Sequence, residues 1–111
     1  MPHCIVEHSE SLNSELILPL VFSGAMESEL FEIDGSDIKV RAIIYHSYLT
    51  GPEKTDFIHV TLKILSGRTV EQKQVLSKSV LAQLQKLELK NCSLTVEVMD
   101  IERASYSKLF S

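Results

Sequence analysis

The chain has 111 residues, 44% of them apolar, with 11 Lys and Arg against 15 Asp and Glu for a formal net charge of −4. That length suits a single domain over residues 1–111 with its own core, and the absence of a basic block or aromatic-interleaved basic stripe excludes nucleic acid as a partner. No stretch nears the roughly 20 continuous apolar residues of a membrane span, and no charged-then-apolar leader opens the sequence, so no membrane partner is expected and the protein reads as cytoplasmic.

Pro2 follows Met1 and opens the apolar, β-prone run Pro2-His3-Cys4-Ile5-Val6-Glu7-His8. Removal of Met1 would expose a secondary amine at the start of a strand. Burial or neighbouring cations disfavour the charged form of such an amine and leave it neutral near physiological pH, which makes Pro2 a candidate general base. The first strand is expected over about His3 to His8, ending in the turn-prone Ser9-Glu10-Ser11.

A helix follows, capped by Asn13 or Ser14, with Glu15 near its positive end and Leu16, Leu20 and Ala25 recurring near helical spacing up to about Phe31. Pro19 is its weak point, because a proline inside a helix removes a hydrogen bond and clashes with the preceding turn, and a start near Leu18 is the alternative. Asp34-Gly35-Ser36-Asp37 breaks the helix, and Ile38 to Ser47 forms a second strand in which Lys39 and Arg41 share one face. Thr50-Gly51-Pro52-Glu53-Lys54 is a turn. Phe57 to Leu65 is a third strand with Ile58, Val60, Leu62 and Ile64 on its apolar face.

Thr69-Val70-Glu71-Gln72 has the spacing of a capping box, and an amphipathic helix carrying Leu76, Val80, Leu84 and Leu87 runs from there to about Leu89. Ser93 to Met99 is the last strand, and the polar tail after it gives no strong signal. The order β-α-β-β-α-β predicts an α+β two-layer sandwich, a four-stranded sheet with two helices on one face. Ile43, Tyr45, Phe57 and Thr61 then fall on the uncovered face, which is too apolar for water and implies burial against another subunit.

Cys4 and Cys92 stand far apart with no finger-like spacing, and no two of His3, His8, His46 and His59 are paired at i, i+4, so no metal is expected and these residues read as packing or surface positions.

The opening Met1-Pro2-His3-Cys4-Ile5-Val6-Glu7, the stretch Ile38-Lys39-Val40-Arg41-Ala42 and the strand-Gly-Arg-helix stretch Phe57 to Thr69 together resemble the 5-carboxymethyl-2-hydroxymuconate isomerase family of the tautomerase superfamily. The resemblance covers about residues 2 to 90. It implies a homotrimer that needs no cofactor, with Pro2 as general base and Arg68 as the second catalytic residue. The substrate it implies is a small di- or tricarboxylate from aromatic ring breakdown, isomerised between keto and enol or allylic forms. Lys39 falls where the family has another arginine and Arg41 on a second one two residues along, both as substrate-binding cations. A lysine keeps the charge but lacks the planar fork that grips a carboxylate with two parallel bonds. The alternatives are a non-catalytic trimeric anion-binding protein and a tautomerase relative with other chemistry.

Overall fold

A computed structural model describes all 111 residues, and its elements follow the expected order. Strand β1 (His3–Ser9) is followed by helix α1 (Ser14–Glu27), strands β2 (Lys39–Tyr45) and β3 (Asp56–Leu65), helix α2 (Val70–Leu84) and strand β4 (Cys92–Ile101). Short 3-10 turns cover Gln85–Leu87 and Arg103–Ser105. The strands lie in the order β2-β1-β3-β4. Each helix links a parallel pair, β1 with β2 and β3 with β4, while β1 and β3 run antiparallel at the centre. The molecule is therefore two β-α-β units joined along their first strands.

Period-two alternation decides which residues meet the helices. Cys4 and Val6 of β1 and Ile58, Val60, Leu62 and Ile64 of β3 are buried against Ile17, Val21 and Ala25 of α1 and Leu76, Val80 and Leu84 of α2. The buried His8 is satisfied locally: its Nδ1 donates to the Ser9 carbonyl at 2.8 Å and its Nε2 accepts from the Ser14 hydroxyl at 2.6 Å. Burial likewise pushes the Cys4 thiol up to about 12, which leaves it inert packing.

Helix α1 begins where Asn13 caps the Glu15 N–H, at 2.9 Å, and it runs straight through Pro19. A proline inside a helix costs about 3 kcal/mol. Ile17 and Val21, both fully buried, each return about 1.5–3 kcal/mol, so packing holds the helix across the break. The helix stops at Glu27, four residues short of Phe31, because the Ser28 hydroxyl bonds the Ala25 carbonyl at 2.6 Å and Glu29 turns left-handed at φ 59°. Helix α2 starts at the expected capping box, with Thr69 and Gln72 bonding each other's backbone N–H groups. The two helices approach closely at Gly24, where an added Cβ would stand 2.6 Å from the Val80 Cα.

The sheet face away from the helices carries Ile43, Tyr45, Phe57 and Thr61, as expected, but it is not simply apolar. Tyr45 donates to Glu7, Arg41 to His3, and His59 contacts both Thr95 and Glu97, so polar pairs are interleaved with the apolar side chains. The last residues correct the expectation of a featureless tail. Tyr106 returns to β1, its hydroxyl 2.9 Å from His3 Nε2, and Arg103 donates to the Ser66 carbonyl at 2.6 Å.

Candidate active site

The chain's first residues, the turn after α1 and the start of α2 converge on an open cleft of about 510 Å³. Met1, Leu30, Phe31 and Leu65 give it apolar walls, Arg68 and Lys108 bring cations, and Glu32 and Asp37 bring carboxylates. A neighbouring hollow of about 330 Å³ shares Phe31, Glu32 and Ile33 with it but adds only Met26 and Glu29, so it has two carboxylates and no cation. Only the larger cleft suits an anion.

Arg68 reaches the cleft through local geometry. Gly67 adopts φ +123°, a conformation that side chains beyond glycine rarely take, and this turns the chain from β3 into the cap of α2. One guanidinium nitrogen of Arg68 donates to the Leu30 carbonyl at 2.6 Å, a group exposed by the early end of α1. The bond fixes the guanidinium plane and leaves its remaining donors for a ligand. The position of Arg68 immediately before the Thr69 cap sets it beside the positive end of α2, which adds to the attraction for an anion.

Pro2 is fully buried, and its carbonyl accepts the Lys39 N–H at 3.0 Å, which continues the β1–β2 ladder to the edge of the cleft. With Met1 attached, the Pro2 nitrogen is a tertiary amide and has no basicity. The amine at this point belongs to Met1, and it donates to the Asp37 carbonyl at 2.7 Å. Burial first, then the Lys39 ammonium, lower its pKa below the ordinary α-amino value, with Lys108 adding to the effect and Asp37 opposing it. The surroundings thus favour a neutral amine at the mouth of β1.

Lys39 and Arg41 share the uncovered sheet face, as the alternation requires, and neither lines the cleft. Lys39 acts on it through its charge. Arg41 is turned to His3, its NH1 3.1 Å from Nδ1. Arginine only donates, so His3 Nδ1 is unprotonated and Nε2 carries the proton that Tyr106 accepts. Burial, and then Arg41, lower the His3 pKa from its usual value, in keeping with a neutral ring. Lys108, Tyr106 and the Asp37 carbonyl are participants that the sequence did not flag, because each depends on how distant segments return to β1. No group of three His, Cys, Asp or Glu side chains is placed to hold a metal ion.

The sequence profile of the 5-carboxymethyl-2-hydroxymuconate isomerase family matches residues 2–109, continuing through the tail where the visible resemblance had thinned. The chain belongs to the 5-carboxymethyl-2-hydroxymuconate isomerase family. It is thereby an enzyme of the isomerase class. Its fold is similar to a 5-carboxymethyl-2-hydroxymuconate isomerase from Deinococcus radiodurans R1, at 21% identity and TM-score 0.75 over 99% of this chain and 90% of that one. A 5-carboxymethyl-2-hydroxymuconate delta-isomerase gives 14% identity and TM-score 0.76 over 100% and 89%. A fused 4-OT described as a symmetric trimer gives 15% identity and TM-score 0.79 over 96% and 90%. These likenesses establish the tautomerase fold for this isomerase-family chain. No curated protein matches it in sequence.

Proposed function

We propose that this isomerase-family protein is a tautomerase acting on an unsaturated 2-hydroxy or 2-oxo di- or tricarboxylate, with Pro2 as general base once Met1 has been removed. The observation that carries the reading is the environment of the amine at the start of β1: it is partly desolvated, set beside Lys39 and held in one cleft with Arg68. A Pro2 nitrogen freed there inherits surroundings that disfavour its protonated form. It takes a proton from the 2-hydroxyl or the activated carbon of the substrate, and the resulting dienolate spreads its charge toward a carboxylate and a carbonyl. The same nitrogen then returns the proton at another carbon. Arg68 holds a carboxylate and stabilises the dienolate charge, while Lys39 acts through its charge on the amine and Arg41, turned to His3, takes no part in the cleft.

Two further elements belong to this reading. The assembly is a homotrimer closed over the uncovered sheet faces, supported by the exposed Ile43 on that face and by the symmetric trimer of the fused 4-OT of the same fold. The setting is the cytoplasm, in the breakdown of aromatic compounds, where the free Cys4 and Cys92 stay reduced. The reaction draws on no cofactor.

The test joins intact mass, which reads the loss of Met1, with ultraviolet absorbance of 2-hydroxymuconate as it ketonises. In processed protein, Pro2→Ala lowers kcat/KM by about 10²–10⁴, the contribution of a positioned general base. Equal rates for the two proteins remove Pro2 from the mechanism. Retention of Met1 in every native molecule favours the anion-binding alternative.

A further inference from the structure

The tail after β4 reaches the cleft by a defined route. Arg103 ties it to the Ser66 carbonyl at 2.6 Å, immediately before Gly67 and Arg68. Tyr106 ties it to His3 at 2.9 Å, immediately after Pro2. The rings of His3 and Tyr106 also meet edge to face, with centroids 6.1 Å apart. Two anchors, one on β1 and one just past the end of β3, thus precede Lys108, which lies in the cleft wall with Arg68 and Met1.

Lys108 is not used by the protein's own acids. The ion pairs of the chain are His46 with Glu10, His59 with Glu97 and Lys73 with Asp100, so Lys108 forms none, although Glu32 and Asp37 line the same cleft. One oxygen of the Asp37 carboxylate instead accepts the Glu32 N–H at 3.1 Å. Arg68 is one anchoring cation and is fixed by Leu30; Lys108 is a second, on a segment tied to His3 of β1 and to Ser66 just after β3. Two separate cations on one cleft suit a ligand with two separate carboxylates.

We infer that Lys108 is a specificity-determining residue: it binds the second carboxylate of a dicarboxylate whose first carboxylate lies on Arg68. The inference deepens the reading above, since it concerns the same cleft, but it has a readout that does not pass through Pro2. A Lys108 ammonium meeting a carboxylate forms a charge-assisted contact at a partly exposed site, where roughly a tenfold effect on affinity is expected.

The experiment measures equilibrium binding of trans,trans-muconate and of sorbate, its analogue with a methyl group in place of one carboxylate, to the full chain by calorimetry. The wild type binds muconate more tightly than sorbate. Lys108→Met lowers muconate affinity by about tenfold and leaves sorbate affinity unchanged, and Lys108→Arg keeps the wild-type preference. A Lys108→Met protein with the wild-type preference overturns the inference, as does a wild type that binds neither acid or fails to distinguish them. Failure of the tautomerase reading looks different: a wild type without isomerase activity that still loses its preference in Lys108→Met keeps the carboxylate site and loses the reaction. Lys108 is exposed, so the substitution does not disturb the core.

Discussion

At Pro2 the difference between a tertiary amide and a free secondary amine is the difference between a structural residue and a base. The residue itself was legible, because its place after Met1 and before a β-prone run is a property of the sequence. Its surroundings were not, since the Asp37 carbonyl and Lys39 reach the first residues through the β1–β2 ladder. Those surroundings fix a pH dependence. A base acts only when unprotonated, so lowering its pKa extends activity toward acid. For processed protein we expect kcat/KM to rise with pH and level off, its midpoint below that of a solvent-exposed amino-terminal proline because burial and Lys39, which lower the Met1 amine at this point, both favour the neutral form. Replacing Lys39 with Met moves the midpoint up, toward that value. A midpoint above it, measured in a pH-rate profile, contradicts the proposed role of the cleft. The family resemblance singled out Arg68 as the second catalytic residue and Arg41 as a substrate-binding cation; the structure sets Arg68 in the cleft wall and turns Arg41 away to His3.

Among the elements, both helix starts were readable from their capping residues and the ends were not. The end of α1 is set by Ser28 bonding back to Ala25 and by the left-handed Glu29, both local competitions with the helix that hydrophobic spacing does not register. The consequence is functional, because the exposed Leu30 carbonyl is what holds Arg68. Gly24 shows a second limit of the pattern. Hydrophobic spacing does not register it, yet it is the contact at which α1 lies against the α2 backbone. Gly24→Ala gains helix propensity worth about 1 kcal/mol, but its methyl group would meet Val80 backbone at 2.6 Å. Overpacking against backbone costs about 1–3 kcal/mol, so we expect a net loss of stability in urea unfolding. An unchanged or raised midpoint would show that the helices separate without cost.

For the whole molecule, the uncovered sheet face is the feature with most consequence. Alternation assigned its residues correctly, but the pairing of Glu7 with Tyr45 and of His59 with Glu97 joins residues on different strands and emerges only from the register. Ile43 on this face is 49% exposed in the single chain, so a lysine there is tolerated by the isolated protomer. In a trimer closed over these faces the same lysine is buried without a partner. Light scattering at micromolar concentration is expected to give three chain masses for the wild type and one for Ile43→Lys, with unchanged far-ultraviolet circular dichroism. A monomeric wild type, or a variant that still assembles, argues against assembly through this face.

The sequence by itself determined the element order, the two-layer fold, the helix starts, the faces of the strands and the place of Pro2, while Arg68 was marked by the family resemblance. These follow from periodicity, capping and motif, which are local and act over a few residues. The tertiary structure alone decided the path of the tail, the neutral His3 between Arg41 and Tyr106, the carbonyl that holds Arg68 and the arrival of Lys108 in the cleft. Each joins residues more than thirty positions apart, and contacts of that kind exist only after the core has fixed where the strands and helices stand.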